Sequence, residues 1–399
     1  MKNVARSAVG NANVPLGKKS SGKKPRKKLK LFSLRSGIDI PFLCLVLLVL
    51  GVGLIMLASA SYPNAKQFHG GDSFYFIRNQ LMWAIIGVVA MLMLSFFDYH
   101  YLHKLAMPIL GISFLLLIVV LFMPLVNQVH RWIQIGPLSF QPSEITKFAI
   151  VLSFAHMMSI NFKRMGTFRY GILPYAIILL TSAFLLFKEP HISCLIIIVL
   201  LSGGMLYIGG AKLRWFGFVF AAALLVVGYV VIFTDKLTYA NDRILGWLDP
   251  FNATVDTWQT RQGLLAIGSG GLFGLGFGNS RQKFHFIPEP HNDFIFSVVC
   301  EELGFIGALA VLVLFAALVW RGIIISMRAK DKFGALLGVG LTAQVGLQVI
   351  LNIFVVTNTI PNTGISLPFF SYGGTSLVML LAQMGIVLSI SRSANIEKS

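Results

Sequence analysis

The chain has 399 residues, of which 56% are hydrophobic, and its 33 lysines and arginines outnumber its 15 acids to give a net charge of +18. Apolar runs of about 20 residues, the length needed to cross a bilayer, recur along the sequence, which excludes a soluble globular protein. Cys44, Cys194 and Cys300 all lie inside apolar runs, so neither disulfides nor redox chemistry is indicated. The sequence therefore predicts an all-α, polytopic membrane protein.

The N-terminal tail, residues 1–38, is strongly basic and contains no acid. Because it is rich in glycine, serine and lysine, we expect it to be disordered. A basic run directly before a membrane helix fixes topology and contacts anionic lipid, and we favour this role over binding of nucleic acid. The tail is therefore predicted to be cytoplasmic, as is the short C-terminal tail at 394–399.

About ten membrane spans are predicted between the tails, in a domain that covers 39–393. They lie at 40–59, 76–97, 105–123, 144–160, 171–187, 192–209, 216–233, 294–320, 334–356 and 375–391. With the N-terminus in the cytoplasm, the short basic loops fall inside, as the positive-inside rule expects. The same parity places three polar segments outside: the loop through Arg131, the large loop 234–293 between the seventh and eighth spans, and the loop 361–374. We therefore expect these segments to form one site at the outer membrane surface.

An outer location limits the chemistry of such a site. Outside the cytoplasmic membrane there is neither ATP nor nucleotide sugar to drive a synthesis. A biosynthetic enzyme there needs a substrate that arrives already activated. A lipid-linked sugar pyrophosphate meets this requirement and is the substrate class that the topology favours.

A carboxylate stands at the end of the large loop, in the segment Phe286–Phe296, which contains Glu289, His291 and Asp293. A charged residue at the edge of a membrane helix is costly to place there and is a candidate for function. Asp293 is equally well explained as the N-cap of the eighth span, since aspartate accepts hydrogen bonds from free backbone N–H groups. From the residues alone, both roles stay open.

The first outer loop contains the motifs R-W-I and Q-P-S-E-x-x-K. Ser143 is predicted to cap the helix that follows, and Glu144 and Lys147, three residues apart, are able to pair on one helix face. One interpretation is a structural ion pair at the membrane edge. The other is that Arg131 and Lys147 bind a pyrophosphate while Trp132 provides an aromatic platform or an interfacial anchor.

The two remaining outer segments are rich in glycine. The large loop contains Arg243, Arg261, Arg281 and Lys283, which together neutralise an anionic ligand or separately lie in solvent. Its glycines do not form the G-x-x-x-x-G-K-[ST] pattern of a phosphate loop, and we expect them to allow tight turns and close backbone approach. The prolines and glycines of segment 361–376 predict a rigid, irregular backbone that supports the site.

These motifs together resemble the SEDS family of polytopic proteins, which includes FtsW, RodA and SpoVE. The similarity runs from about 40 to 392 and rests on R-W-I with Q-P-S-E-x-x-K, S-R-Q-K, P-E-x-x-x-D-F-I-F with E-E-L-G, and P-x-T-G-I-x-L-P-F-x-S-Y-G-G. The Arg281–Phe284 run and the Pro288–Pro290 triplet are closest to the FtsW and SpoVE branch. One departure is Glu189-Pro190-His191, which stands where many members have Q-P-D.

The resemblance implies an enzyme, a peptidoglycan glycosyltransferase that polymerises lipid II and works with a class B penicillin-binding transpeptidase. It also implies a place in the bacterial cytoplasmic membrane at the division septum, with other membrane proteins of the division complex as partners. The family's essential loop aspartate corresponds to Asp293. Arg131, Trp132, Glu144 and Lys147 fall on its R-W and Q-P-S-E-x-x-K positions.

We hypothesise that Asp293 is the general base, which accepts the proton of the C4 hydroxyl of the acceptor's N-acetylglucosamine. The oxygen then attacks C1 of the donor's N-acetylmuramic acid, inverts its configuration and expels undecaprenyl pyrophosphate. The predicted substrate-binding residues are Arg131, Trp132, Lys147, Arg243, Arg261, Lys283 and Glu289. Structural roles behind the site are assigned to Glu144, Glu301, Glu302 and Ser371. The sequence has no zinc-binding motif, and it is compatible with a divalent cation, Mg²⁺ or Mn²⁺, held by Asp293 or Glu289.

Three other interpretations stand beside this one. A lipid II flippase should carry its polar residues near the membrane midplane, whereas here they crowd the outer loops. A scaffold would recruit the transpeptidase through its helices and perform no chemistry. Within the family, a RodA-type role in elongation competes with a role in division. Replacement of Asp293 by asparagine tests these interpretations, because a scaffold should tolerate the change and a polymerase should not, while for a flippase either outcome is open.

Overall fold

The computed structural model describes residues 37–124, 131–135, 138–217, 245–251 and 257–393. Several sequence predictions therefore lie outside the described residues. They are the basic tail up to residue 36, the span at 216–233 beyond residue 217, Arg243, and the C-terminal tail at 394–399.

The described residues are mostly helical. The helices are α1 (Ile40–Phe68), α2 (Tyr75–Phe96), α3 (His100–Val120), α4 (Pro142–Asn161), α5 (Phe168–Gly171), α6 (Leu173–Lys188), α7 (Ile192–Ile208), α8 (Trp258–Ser269), α9 (Ile295–Met327), α10 (Lys332–Val356) and α11 (Gly374–Ser393). A 3-10 turn, Phe162–Arg164, follows α4. Strands β1 (Ile133–Ile135) and β2 (Leu138–Phe140) form an antiparallel hairpin before α4.

Within the described residues, eight helical segments are long and apolar enough to cross a membrane. They are Ile40–Phe68, Tyr75–Phe96, His100–Val120, Pro142–Arg164, Phe168–Lys188, Ile295–Met327, Lys332–Val356 and Gly374–Ser393. Helix α7 is also apolar but has only 17 residues. The all-α, polytopic fold is confirmed, and the chain is a multi-pass membrane protein. The count of ten spans stays a prediction, because the span expected at 216–233 extends beyond the described residues.

Polar residues define the ends of two helices. The carboxylate of Asp39 precedes α1 and accepts a hydrogen bond from the Phe42 amide at 2.9 Å. Asp331 caps α10 in the same way, through the Gly334 amide at 2.9 Å. These caps satisfy backbone donors that have no partner within their own helix. Asp39 also binds the Arg321 guanidinium at 2.7 and 3.1 Å, which ties α1 to α9.

Helix α9 is interrupted at Gly304, whose backbone is left-handed with φ of 67°. The glycine-rich segment packs into this break, and the Leu275 amide donates to the carbonyl of Glu301 at 2.9 Å. A Cβ on Gly304 would lie 2.3 Å from the amide nitrogen of Gly274, so no larger residue fits. The glycine-rich part of the large loop is therefore held against α9 by direct backbone contact.

The three loop segments meet near the N-terminal ends of α2, α4, α9 and α11. The Tyr372 amide donates to the carbonyl of His291 at 2.9 Å, which joins segment 361–374 to the end of the large loop. The Thr375 hydroxyl, in the first turn of α11, donates to the carbonyl of Ser139 at 3.2 Å, which joins the start of α11 to the hairpin. Below them, α2 packs on α11, α3 on α4 and α9 on α10. Helix packing thus brings together segments that are far apart in sequence.

Candidate functional site

A cavity of about 1060 Å³ lies where the loop segments meet. Its volume is at the upper end of the roughly 300–1,000 Å³ of small-molecule sites, so it accommodates a large ligand. Five of the predicted site residues line it: Arg131, Trp132, Glu144, Glu289 and Asp293. They come from the first outer loop, the start of α4 and the end of the large loop, and segment 364–374 completes the wall.

Asp293 lies at the cavity wall, two residues before the start of α9. The N-cap of that helix is Phe294 and no side chain caps it, so the capping role considered for Asp293 is not what the structure has. Burial and the nearby charge of Glu289 raise the pKa of the Asp293 carboxyl to about 6, while Arg131 opposes the rise. A carboxyl with this pKa is an effective proton acceptor near neutral pH.

The backbone around Asp293 is held by side chains from α10 and from segment 361–374. The Asn352 amide group donates to the carbonyl of Asp293 at 2.8 Å and to that of Ile365 at 2.6 Å. The Ser371 hydroxyl donates to the carbonyl of Asn292 at 2.8 Å. Ser371, for which the sequence predicts a structural role, lies beside the cavity and links the two loop segments.

Two neighbours complete the surroundings of Asp293. Gly364 has a left-handed backbone with φ of 67°, and a Cβ there would lie 3.0 Å from Oδ2 of Asp293. The absent side chain leaves room for the carboxylate. Glu289 is exposed at the wall and accepts a hydrogen bond from Asn292 at 2.6 Å. Two carboxylates therefore face one cavity, and a proton or a cation relieves their repulsion.

Arg131 brings positive charge to the cavity and is anchored to the turn between α6 and α7. Its Nε donates to the carbonyl of Glu189 at 3.3 Å, and its guanidinium also donates to the carbonyl of Pro190. Both partners are backbone carbonyls, and they orient the guanidinium. The positive charge of Arg131 opposes the rise in the pKa of Asp293.

The Glu189–His191 turn, where the chain departs from the Q-P-D pattern, borders the same site. His191 lines the cavity, and burial lowers its pKa to about 3, so the imidazole is neutral. Glu189 is fully buried, and burial raises the pKa of its carboxyl to about 8 against the effect of Arg131. Within the described residues, the Glu189 carboxyl has no hydrogen-bond partner. The turn thus retains an acid at Glu189, whose buried carboxyl has a raised pKa.

The Q-P-S-E-x-x-K motif starts α4, although the predicted cap is wrong. Gln141 is the N-cap and Pro142 the first helical residue, while Ser143 is buried inside the first turn. Proline favours this position because its fixed φ suits the first helical residue and its missing N–H is not needed there. Glu144 lines the cavity and pairs with Lys147 at 2.9 Å. Lys147 itself does not line the cavity, and its positive charge offsets the negative charge of Glu144 there.

Lys283 and the acidic pair of α9 form a buried network, here called the loop anchor. The Lys283 ammonium lies 2.7 Å from a Glu302 carboxylate oxygen and donates to the Ser59 hydroxyl of α1 at 2.9 Å. Glu301 accepts hydrogen bonds from the Ser280 hydroxyl and from the Arg281 amide. The structure therefore places Lys283 in the loop anchor and not in the cavity wall, because a buried carboxylate takes up its charge.

The remaining predicted cations do not contribute to the described cavity wall. The guanidinium of Arg261 lies 4.9 Å from the ring centroid of Trp258, within α8. Arg243 lies outside the described residues. Among lysines and arginines in the described part of the chain, Arg131 is the one that lines the cavity.

Residues of α1, of the turn that follows it and of α2 also line the cavity, and the sequence predicts no role for them. They include Asn64, His69, Phe76 and Trp83. In the sequence these positions lie in or beside apolar spans, where hydropathy indicates only contact with lipid or core. The one available signal is that segment 68–76 begins and ends with aromatic or imidazole residues: Phe68, His69, Phe74, Tyr75 and Phe76.

The family model for FtsW, RodA and SpoVE, described as a cell cycle protein, matches residues 40–396. The chain is 39% identical over 359 residues to stage V sporulation protein E of Bacillus subtilis, across 89% of this chain and 97% of that protein. It is 36% identical over 358 residues to a probable peptidoglycan glycosyltransferase FtsW of Trichlorobacter lovleyi, across 88% of this chain and 93% of that protein.

Solved structures are similar over nearly the whole chain. One comes from work described as structural coordination of polymerization and crosslinking by a peptidoglycan synthase complex. Its chain has a TM-score of 0.75 and 28% identity, across 89% of this chain and 98% of that chain. The crystal structure of the rod shape determining protein RodA of Thermus thermophilus has a TM-score of 0.65 and 26% identity, across 90% and 99%.

Proposed function

The chain belongs to the FtsW/RodA/SpoVE family, and we propose that it is a peptidoglycan glycosyltransferase that polymerises lipid II at the outer face of the cytoplasmic membrane. The observation that carries this proposal is one large cavity with a carboxylate of raised pKa and a guanidinium in its walls. The name of the Trichlorobacter lovleyi relative supports the class of reaction. The FtsW naming of several relatives supports a role in septal synthesis during division.

Asp293 performs the proton transfer. Its carboxylate accepts the proton of the acceptor's C4 hydroxyl as the oxygen forms a bond to C1 of the donor sugar. The bond from C1 to the pyrophosphate oxygen breaks on the opposite face, and undecaprenyl pyrophosphate leaves with the electron pair. The configuration at C1 is therefore inverted. A positioned general base of this kind accelerates a reaction about 10²–10⁴-fold.

Arg131 stabilises the leaving group. Negative charge develops on the pyrophosphate as the C1–O bond breaks, and a preoriented guanidinium binds phosphate oxygens in two parallel hydrogen bonds. The backbone carbonyls of Glu189 and Pro190 orient the Arg131 side chain for this purpose. The Glu144–Lys147 pair lines and supports the same wall, and Trp132 provides a flat ring beside it.

A divalent cation fits the carboxylate side of the site. Mg²⁺ is commonly bound by one or two carboxylates together with substrate phosphates, and Asp293 and Glu289 supply two carboxylates at one wall. Within the described residues, no group of three metal-binding side chains is present, so the phosphates would complete the coordination. The cation would supply charge stabilisation of the leaving pyrophosphate.

A class B penicillin-binding transpeptidase is the proposed partner. The structural relative with the higher TM-score comes from a complex described as coordinating polymerization and crosslinking, and crosslinking is the reaction of a transpeptidase. Both termini are proposed to be cytoplasmic. A RodA-type elongation role is the alternative within the family, supported by the likeness to the Thermus thermophilus protein.

The experiment is polymerisation of purified lipid II by the chain in complex with its cognate transpeptidase. Asp293→Asn should lower the rate at least about 10²-fold, because the amide accepts no proton. Asp249→Asn is the matched control, since Asp249 belongs to the same loop and does not line the cavity.

Equal polymer from wild type and Asp293→Asn would remove the general-base assignment. If neither protein makes polymer, transport of lipid II into liposomes by the wild type would support the flippase alternative instead. Both variants must copurify with the transpeptidase in equal amounts, so that a lost complex is not mistaken for lost chemistry.

A further inference from the structure

A cluster of rings in stacked, tilted and edge-to-face contact forms part of the cavity, and we call this surface the aromatic wall: His69, Tyr75, Phe76, His291 and Tyr372. His69 stacks on Tyr75 with ring centroids 3.7 Å apart and an interplanar angle of 11°. Phe76 lies in the middle, with its centroid 4.2 Å from that of His291 and 5.0 Å from that of Tyr372. All of these residues except Tyr75 border the cavity. The rings support one another and form a preformed surface.

Three separate parts of the chain hold the aromatic wall together. The Tyr372 amide donates to the carbonyl of His291 at 2.9 Å. Gln80 of α2 is fully buried; it donates to the carbonyl of Ser371 at 3.3 Å and accepts from the Gly373 amide at 3.2 Å. These bonds fix α2, the end of the large loop and segment 361–374 relative to one another, so that the rings are positioned before a ligand binds.

The aromatic wall and the side of the cavity at Arg131 differ in charge. Phe76 and Tyr372 carry no charge, and His291 is only 4% exposed. A pyrophosphate needs cationic partners when it loses water, and Arg131 meets that need better than neutral rings.

Interfacial anchoring in lipid headgroups does not account for the aromatic wall. Aromatic residues with that role contact the membrane surface. Phe74 fits the description, since it is 67% exposed and does not line the cavity. Phe76 and His291 instead border the cavity, and His291 is buried. The wall is therefore directed at a ligand.

Resting on the proposed polymerase function, we propose that the aromatic wall binds the sugar rings of the acceptor glycan. The C–H face of a pyranose packs on an aromatic ring, while its hydroxyls at the edge stay available for hydrogen bonds. His291 is two residues from Asp293, so a sugar on the wall presents its hydroxyls near the general base. The donor's pyrophosphate is left for the side of Arg131, and the cavity is divided into an acceptor side and a donor side.

The test uses the full chain in lipid nanodiscs and a soluble tetrasaccharide of alternating N-acetylglucosamine and N-acetylmuramic acid, without lipid or pyrophosphate. Phe76→Leu removes the central ring and should weaken tetrasaccharide binding about tenfold in an NMR titration, while inorganic pyrophosphate binds as before. Arg131→Gln should show the reverse pattern. Phe277→Leu is the control, since Phe277 is an exposed ring outside the cavity and should affect neither ligand.

Phe76→Tyr keeps a ring and should bind the tetrasaccharide like the wild type, which separates loss of the ring from a folding defect. Equal tetrasaccharide affinity in wild type and Phe76→Leu, or no binding to the wild type, would overturn the acceptor assignment. Asp293→Asn distinguishes the two proposals, because it should retain the tetrasaccharide while losing polymerisation. A wild type that binds the tetrasaccharide and makes no polymer would refute the proposed function and leave the wall as a saccharide site.

Discussion

Two buried lysine–glutamate pairs in the described part of the chain have the same chemistry, but they join residues at very different sequence separations. Glu144 and Lys147 lie three residues apart in one helix, with 2.9 Å between their charged atoms. Lys283 and Glu302 are 19 residues apart, with 2.7 Å between theirs. The first pair borders the cavity through Glu144, and the second also engages Ser59 of α1.

This difference separates a local pair from a tertiary one. A pair one helical turn apart forms as soon as the helix forms, so it places a compensated carboxylate at the site without fixing the fold. The loop anchor forms only when α1, α9 and the large loop have come together. Because the same loop ends in Asp293, the tertiary pair holds the segment that carries the proposed general base. Neither lysine lines the cavity, although the sequence predicts both as candidates to bind a pyrophosphate.

The largest effect is expected at the loop anchor. Lys283→Met should lower the free energy of unfolding by about 3–5 kcal/mol, because Glu302 then stays as an uncompensated buried charge. Polymerisation should fall with it, since the loop that carries Asp293 loses its attachment. Thermal unfolding of the purified protein and the lipid II assay measure the two effects.

The double variant Lys283→Met/Glu302→Leu is the control for that explanation. Removing both charges leaves no unpaired group, so it should recover most of the lost stability. A double variant as unstable as Lys283→Met alone would show that the ion pair is not what holds the loop.

A smaller loss of stability is expected from Lys147→Met, about 1–3 kcal/mol, because Glu144 still faces the cavity and keeps the Ser376 hydroxyl as a partner. Polymerisation should nevertheless fall, since the uncompensated carboxylate makes the donor side more negative and opposes pyrophosphate. Adding Glu144→Gln to this variant should restore part of the activity. Activity that stays at the wild-type level in Lys147→Met would show that the pair has no electrostatic role.

Several features of the site can be predicted from the sequence. The Glu144–Lys147 pair is predicted from spacing alone, and the meeting of the three loop segments follows from span parity and the positive-inside rule. The general-base candidate Asp293 is identified from its position at the edge of a span. These are local or topological signals, which hydropathy and charge record directly.

Other features depend on contacts between distant residues. Nothing in the sequence around Lys283 indicates that Glu302 and Ser59 surround it, because the break at Gly304 decides where the loop packs. The sequence does not predict the aromatic wall for a similar reason. His69 and Phe76 lie at the ends of apolar spans, where hydropathy indicates contact with lipid, and their position at the cavity depends on tertiary packing. Long-range partners of this kind are not encoded in periodicity.

The smallest expected effect is a shift in the pH dependence, and its sign tests the electrostatics of the cavity. Asp293 acts as a base only when ionised, so the polymerisation rate should fall about tenfold per pH unit below its pKa of about 6. Glu289→Gln removes a negative charge that raises this pKa, so the acidic limb should move to lower pH. Arg131→Gln removes a positive charge that lowers it, so the limb should move to higher pH. His285→Gln, at another residue of the cavity wall, should leave the limb in place. Shifts of the same sign in the two charge variants would mean that Asp293 is not the group that titrates.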